Sequence, residues 1–293
     1  MNSWIDFYQH IPEKLNPEII RIGFFSIGWY AVLYAVAFVV VWFLLKKRLS
    51  LGEDAHVFKN NKHSLPGKQA IIFDFLLVCF WGAIIGGRLG YVFFYNLAFY
   101  WSHPLAIISP FDTVTGELVG IYGMSYHGGL IGIIFATVFF VKKYQLNFGA
   151  LTDFIIPAIP AGYFLGRLGN FLNGELYGRV TMVWMGMYFP SAELSMQLRH
   201  PSQLYEAFLE GGLLFLILWK VRNKKKLQGN FLALYFIGYG LMRFLGEFFR
   251  EPDAQIGFIF SSLSLGQLFS VGMIFCGIFL LMIKKSKFYL HDF

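Results

Sequence analysis

Residues 22–45 read IGFFSIGWYAVLYAVAFVVVWFLL, and none of them is Asp, Glu, Lys or Arg. A helix needs about 20 apolar residues to cross the hydrocarbon core of a bilayer, so this run is long enough to span one. Lys46-Lys47-Arg48 follows it at once. Basic clusters of this kind mark cytoplasmic helix ends. The same punctuation recurs at Lys142-Lys143, at Lys220 to Lys226 and at Lys284-Lys285, each directly after an apolar run.

Setting the apolar runs against those clusters predicts seven transmembrane helices: Ile22–Leu45, Ala70–Phe94, Gly120–Val141, Gly149–Leu172, Leu204–Trp219, Asn230–Phe249 and Ile256–Ile283. The first, third, fifth and seventh end in basic residues. That places the N-terminus outside, on the periplasmic side, and the C-terminus in the cytoplasm. The loop from Ser50 to Gly67, with Lys59, Lys62 and Lys68 at its far end, is then cytoplasmic. Two longer connections, Leu97 to Val119 and Asn173 to Gln203, are extracytoplasmic. No internal repeat or low-complexity linker divides the chain. The expected fold class is an all-α integral membrane protein, with residues 1–293 as one multi-pass domain.

Composition agrees. The chain of 293 residues is 57% hydrophobic and 20% aromatic, with 14% charged residues and a mean hydropathy of +0.57. A soluble domain carries about 25% charged residues. The net charge of +7 does not indicate nucleic acid, because the basic residues sit at helix ends and form no patch. Residues 1–20 carry acids and a single base, Lys14. They lack the basic stretch and cleavage site of a signal peptide and are expected to stay on the mature chain. Cys79 and Cys276 have no zinc or redox spacing and read as buried thiols.

The bases sort by type as well as by side. Every lysine except Lys14 falls on the cytoplasmic side, whereas the outward set is arginine: Arg21, Arg88, Arg167, Arg179, Arg199, Arg243 and Arg250. The planar guanidinium fork matches phosphate or carboxylate in two-point contact. At 1.5 Å per residue, Arg88, Arg167 and Arg243 lie about 20–27 Å from the inner ends of their spans, and His127 about 10 Å from the outer end of its own. Polar groups from four spans thus reach the outer half of the bilayer. Burying three arginines there costs roughly 8–10 kcal/mol at most on an insertion scale. Counting Glu247 as the one carboxylate partner, the excess predicts an anionic ligand.

Tyr239, Arg243, Glu247 and Arg250 follow one another at steps of four, four and three, along one helical face. Residues 166–179 read GRLGNFLNGELYGR, in which Arg167 and Asn170 share a face. Its glycines allow helices to approach closely, but packing does not account for Arg167, Asn170, Asn173 and Glu175 together. Residues 199–206 read RHPSQLYE, with Pro201 suited to a helix start and its polar neighbours suited to capping or interface anchoring. Tyr30 reads as a packing residue by type alone, and Asp74 and Asp153 as structural residues toward the inner side. His127, followed by Gly128-Gly129, is the candidate acid–base group, because imidazole titrates near neutrality. There is no HExxH or GxSxG motif, and nothing asks for a metal or another cofactor. Any nucleophile is expected to come from a substrate.

Taken in order, these blocks resemble the bacterial prolipoprotein diacylglyceryl transferases over nearly the whole chain. The resemblance is carried by Gly28-Trp29-Tyr30, residues 86–91 (GGRLGY), residues 127–132 (HGGLIG), residues 166–179, residues 199–206 and the stretch from Tyr239 to Asp253. It implies a multi-pass enzyme of the bacterial inner membrane, with its active site toward the outer side. Such an enzyme moves the diacylglyceryl group of phosphatidylglycerol to the lipobox cysteine of a preprolipoprotein, releasing glycerol 1-phosphate. By the same resemblance, Arg167 and Arg243 correspond to the essential phosphate-binding arginines. Tyr30, Asn170, Glu175, Gly178, Tyr239 and Glu247 correspond to other functional positions, and His127 and His200 to the family histidines. Arg88 joins the expected substrate-binding set as a third buried guanidinium.

The reaction suits these residue types. Charge grows on a departing phosphate monoester, which fixed guanidinium groups stabilise. The incoming thiol, with an ordinary pKa of about 8.5, must lose its proton, and His127 is the proposed base. The rival reading, a lipid or anion transporter, fits less well, because the charges share one level and no repeated half is visible. An intramembrane protease would need a base and orienter beside Ser125 or Ser202, which the sequence does not supply.

Overall fold

Out of water, a backbone must satisfy its own hydrogen bonds, and a helix does so within a single segment. The computed structural model describes residues 3–22, 25–58, 65–111, 116, 123–192, 197–252, 258–259 and 263–289. In chain order they form α1 (Ser3–Gln9), α2 (Ile11–Lys14), the hairpin β1 (Glu18–Ile22) and β2 (Phe25–Gly28), α3 (Trp29–Ser50), α4 (Leu65–Tyr95), α5 (Leu97–Ser102) and α6 (Tyr126–Lys143). Then come α7 (Phe148–Ile155), α8 (Ile159–Leu172), α9 (Ser202–Glu206), a π-helical stretch (Ala207–Leu213), α10 (Leu214–Val221), α11 (Phe231–Gly246), the hairpin β3 (Phe258–Ile259) and β4 (Leu263–Ser264), and α12 (Leu265–Tyr289).

The chain is mostly helical, and among the described residues five helical segments are long and apolar enough to cross a membrane: Trp29–Ser50, Pro66–Tyr95, Tyr126–Lys143, Phe148–Leu172 and Leu265–Ile283. Their outer faces carry large apolar side chains, with Trp81 56%, Phe135 70% and Phe275 67% exposed. In water such faces would be costly; in lipid they are not. The segment Phe231–Gly246 is apolar but shorter.

Two details differ from the expected all-helical spans. The first span begins at Trp29 because β1 and β2 pair antiparallel before it and Trp29 N donates to Pro17 O at 3.0 Å. The helix runs on through the basic cluster to Ser50. The last span likewise begins at Leu265, after a second small hairpin. Lys59, Lys62, Gly120 and Ile256, which bounded other expected segments, lie outside the described residues.

The chain folds as two compact units, Met1–Leu45 with Thr152–Phe293, and Lys46–Leu151. In the first, Ile156, Leu214, Leu218 and Phe231 form one buried cluster, with Tyr235 and Tyr239 against it. Phe171, Met187, Phe189 and Ala192 form another, which gathers Tyr8 and Leu204 and anchors the connection after α8. Asp153 accepts from Phe231 N at 3.1 Å and from Gly229 N, satisfying donors at the start of α11.

In the second unit, α4 lies against α6. A Cβ added at Gly128 would stand 2.8 Å from Gly90 Cα, and one at Gly86 equally close to Gly132 Cα. Only glycine lets two backbones approach so closely. The turn after α3 is tied by Arg48–Glu53 at 2.6 Å and Lys68–Asp54 at 2.7 Å.

Candidate active site

Arg167 on α8 and Arg243 on α11 meet at one carboxylate of the first unit. Glu206 Oε2 lies 2.9 Å from Arg167 Nε and 3.1 Å from Arg243 Nη1. Glu206 ends α9 and is wholly buried, as is Glu210, one turn on in the π-helical stretch. Arg243 Nη1 is also 3.5 Å from Glu210 Oε1, and its Nη2 pairs with Glu247. Arg250 reaches the same group, with Nη1 3.5 Å from Glu206 Oε1 and Nε 3.7 Å from Glu247 Oε1. Three arginines thus interlock with three buried carboxylates.

This changes the charge balance expected from sequence. Glu247 was the only partner counted there, and Glu206 and Glu210 now neutralise much of the remainder. Buried ion pairs are held where each charge is matched, because removing a partner leaves an uncompensated ion in low dielectric. Charge is matched here, but hydrogen bonding is not. Among the described residues, Arg243 Nη1, Glu210 Oε1 and both carboxylate oxygens of Glu206 are buried without a hydrogen bond of good geometry. Arg167 and Arg243 each keep 14% of the side chain exposed.

Neighbouring residues fix the forks. Arg167 Nε donates to Tyr163 Oη at 2.8 Å, and the Tyr163 hydroxyl in turn donates to Glu210. The guanidinium carbon sits 5.0 Å above the Tyr163 ring centre. Arg167 Nη1 reaches Asn170 Oδ1 at 3.4 Å, and Asn170 Nδ2 donates to Glu175 Oε1 at 2.9 Å. Tyr239 packs edge-on against Tyr163, with ring centres 5.7 Å apart. Tyr30 bonds Tyr34 hydroxyl to hydroxyl at 2.9 Å and lies beside Gly169, where a Cβ would stand 3.2 Å from Tyr30 Cδ2.

Glu175 is held by its backbone. Its N–H donates to Asn170 O at 3.1 Å, and Gln203 Nε2 donates to Glu175 O at 2.6 Å. The next residue, Leu176, has φ 59°, a left-handed conformation that non-glycine residues seldom adopt. Ser202 Oγ donates to Leu176 O at 3.0 Å, and Gly178 N donates to His200 O at 2.8 Å. A Cβ at Gly178 would stand 2.9 Å from that of His200, so the strand contact requires glycine. His200 stacks edge-on with Tyr205 and Phe249. Burial, then the neighbouring Arg179 guanidinium, lowers its pKa below the ordinary value.

Two predicted site residues belong to the second unit. Arg88 is buried, and its fork is directed at main-chain carbonyls: Nε to Ile107 O at 2.7 Å, Nη2 to Ala106 O at 2.7 Å and Nη1 to Gly123 O at 3.3 Å. Its visible role is to fasten the connection between α4 and α6. His127, in the first turn of α6, is exposed and meets Tyr126 edge-on at 5.7 Å. The glycine that follows it serves the α4 contact.

Sequence reasoning passed over Glu210 and Tyr163, and took Glu206 as a capping or anchoring group. The signal was present: two acids four residues apart inside an otherwise apolar run, the same pattern that singled out Arg243 and Glu247.

A family model described as prolipoprotein diacylglyceryl transferase matches residues 17–283. The phosphatidylglycerol–prolipoprotein diacylglyceryl transferase of Chlorobaculum tepidum is 46% identical over 289 residues, covering 98% of this chain and 96% of its own. A protein of the same name from Rickettsia bellii is 42% identical over 94% of this chain and 97% of its own. One from Campylobacter curvus is 42% identical over 98% and 99%.

Proposed function

The chain belongs to the prolipoprotein diacylglyceryl transferase family, and from that membership we propose that it transfers the diacylglyceryl group of phosphatidylglycerol to the lipobox cysteine of a preprolipoprotein. The cysteine sulfur forms a bond to the glycerol carbon that carries phosphate. The carbon–oxygen bond breaks, and glycerol 1-phosphate leaves with the electron pair. The observation that carries this reading is the convergence of Arg167 and Arg243 on Glu206.

The carboxylates hold the two forks in place before substrate arrives, so little reorganisation accompanies charge development on the departing phosphate. Arg167 and Arg243 bind that phosphate. Arg243 Nη1 stays with Glu206 and Glu210, and the partly exposed remainder of both arginine side chains meets the phosphate. Asn170, Glu175 and Glu247 orient the arginines, while Tyr30, Tyr239, Gly178 and His200 shape the surroundings. Arg88 is assigned to holding its loop. His127 removes the thiol proton. The chain spans the bacterial inner membrane seven times as one domain, N-terminus outside, and the site faces the outer leaflet, from which both substrates arrive.

Mass spectrometry of a lipobox peptide incubated with phosphatidylglycerol and the purified protein tests the reading. Thioether-linked product, with glycerol 1-phosphate released only when the peptide is present, is expected. Release without an acceptor, or lipid movement without product, would favour a transporter.

A further inference from the structure

The last helix begins at the active-site network. Ser264 precedes α12, and its side-chain oxygen accepts from Gln267 N at 3.1 Å, while Gln267 Oε1 accepts from Ser264 N at 3.0 Å. This reciprocal pair is a capping box, which satisfies donors at a helix start. Both residues are almost wholly buried, Ser264 2% and Gln267 1% exposed. The same Ser264 hydroxyl donates its own hydrogen to Glu247 Oε2 at 2.7 Å. Gly266 lies so close that a Cβ there would stand 2.5 Å from Glu247 Cδ. The other oxygen of Glu247 holds Arg243 and faces Arg250.

Resting on the proposed function, we infer that Ser264 and Gly266 are positioning residues: they seat the Glu247 carboxylate, which in turn aims the Arg243 fork at the substrate phosphate. A hydroxyl hydrogen cannot be shared with water in this buried corner, so Glu247 Oε2 has one direction in which its charge is met. The partially positive start of α12 favours the same placement. Removing the hydroxyl frees the carboxylate to turn toward Arg250, and Arg243 follows it. The effect falls on the step in which phosphate charge develops.

The test compares Ser264→Gly, Ser264→Thr and Gly266→Ala in the purified full chain, each assayed with phosphatidylglycerol vesicles and a lipobox peptide. Glycine is nearly as good a cap as serine, so the thermal midpoint of Ser264→Gly should fall only by what the lost bond to Glu247 contributes, leaving the protein folded at the assay temperature. Its kcat should fall roughly tenfold, the value of one hydrogen bond to a charged group, with KM for the lipid little changed. Threonine, which keeps the hydroxyl, should restore most of the rate. Gly266→Ala should lower kcat in the same way. Wild-type kcat in Ser264→Gly or Gly266→Ala, loss shared by Ser264→Thr, or loss that comes with unfolding at the assay temperature would overturn the positioning role. Inactivity of the unaltered protein would instead count against the transferase reading itself.

Discussion

The fully buried carboxylate of Glu206 lies 2.9 Å from the Nε of Arg167, although 39 residues separate them in the chain. That contact joins α8 to α9 at the point where Arg243 also arrives. Its consequence is a cluster in which positive charge is held in register by buried negative charge.

Glu206→Gln should therefore harm the fold as well as the chemistry. Breaking a buried pair from one side costs about 3–5 kcal/mol. A clearly lower thermal midpoint in detergent is expected. An unchanged midpoint would mean that Arg167 and Arg243 do not depend on this carboxylate.

Arg243→Lys keeps the charge and loses the fork. The contacts to Glu206 and Glu247 come from two separate nitrogens of a planar fork, which a single ammonium nitrogen on a shorter side chain does not reproduce. Transfer should drop by roughly one to two orders of magnitude, the value of a hydrogen bond to a charged group. Near-normal turnover in the peptide assay would defeat the two-point argument.

His127→Gln should leave phosphatidylglycerol binding intact and slow transfer by about a hundredfold, the lower range for losing a general base. A transfer rate close to that of the unaltered protein would remove His127 from the proton-transfer role.

Gly128→Ala tests the helix contact behind that histidine. The added methyl would stand 2.8 Å from Gly90 Cα, so α4 and α6 must separate. Overpacking of this kind costs about 1–3 kcal/mol. Reduced yield of folded protein is expected, and a fully stable variant would show that the pair can yield.

His200 predicts a pH trend in stability. Burial and Arg179 lower its pKa in the folded protein, so the unfolded chain takes up a proton first as pH falls. Its contribution is complete above the ordinary value of about 6.5 and is lost as pH drops through the folded one. The thermal midpoint should decline from pH 7 to 5, less steeply in His200→Asn. Equal slopes would exclude His200 as the source.

The sequence by itself determined which stretches form long apolar helices able to cross a membrane, and which polar residues stand out within them. Uncharged runs closed by lysine are a local signal, and lipid imposes helix on them whatever their neighbours are. Arg167, Asn170, Arg243 and Glu247 stood out for the same reason: each is costly within an apolar stretch. Only the tertiary structure decided which charges answer one another. α9 and the π-helical stretch that continues it bring Glu206 and Glu210 to arginines of α8 and α11, whereas Arg88 meets carbonyls of its own loop. Ion pairing depends on distances across helices, which spacing along a single helix does not encode.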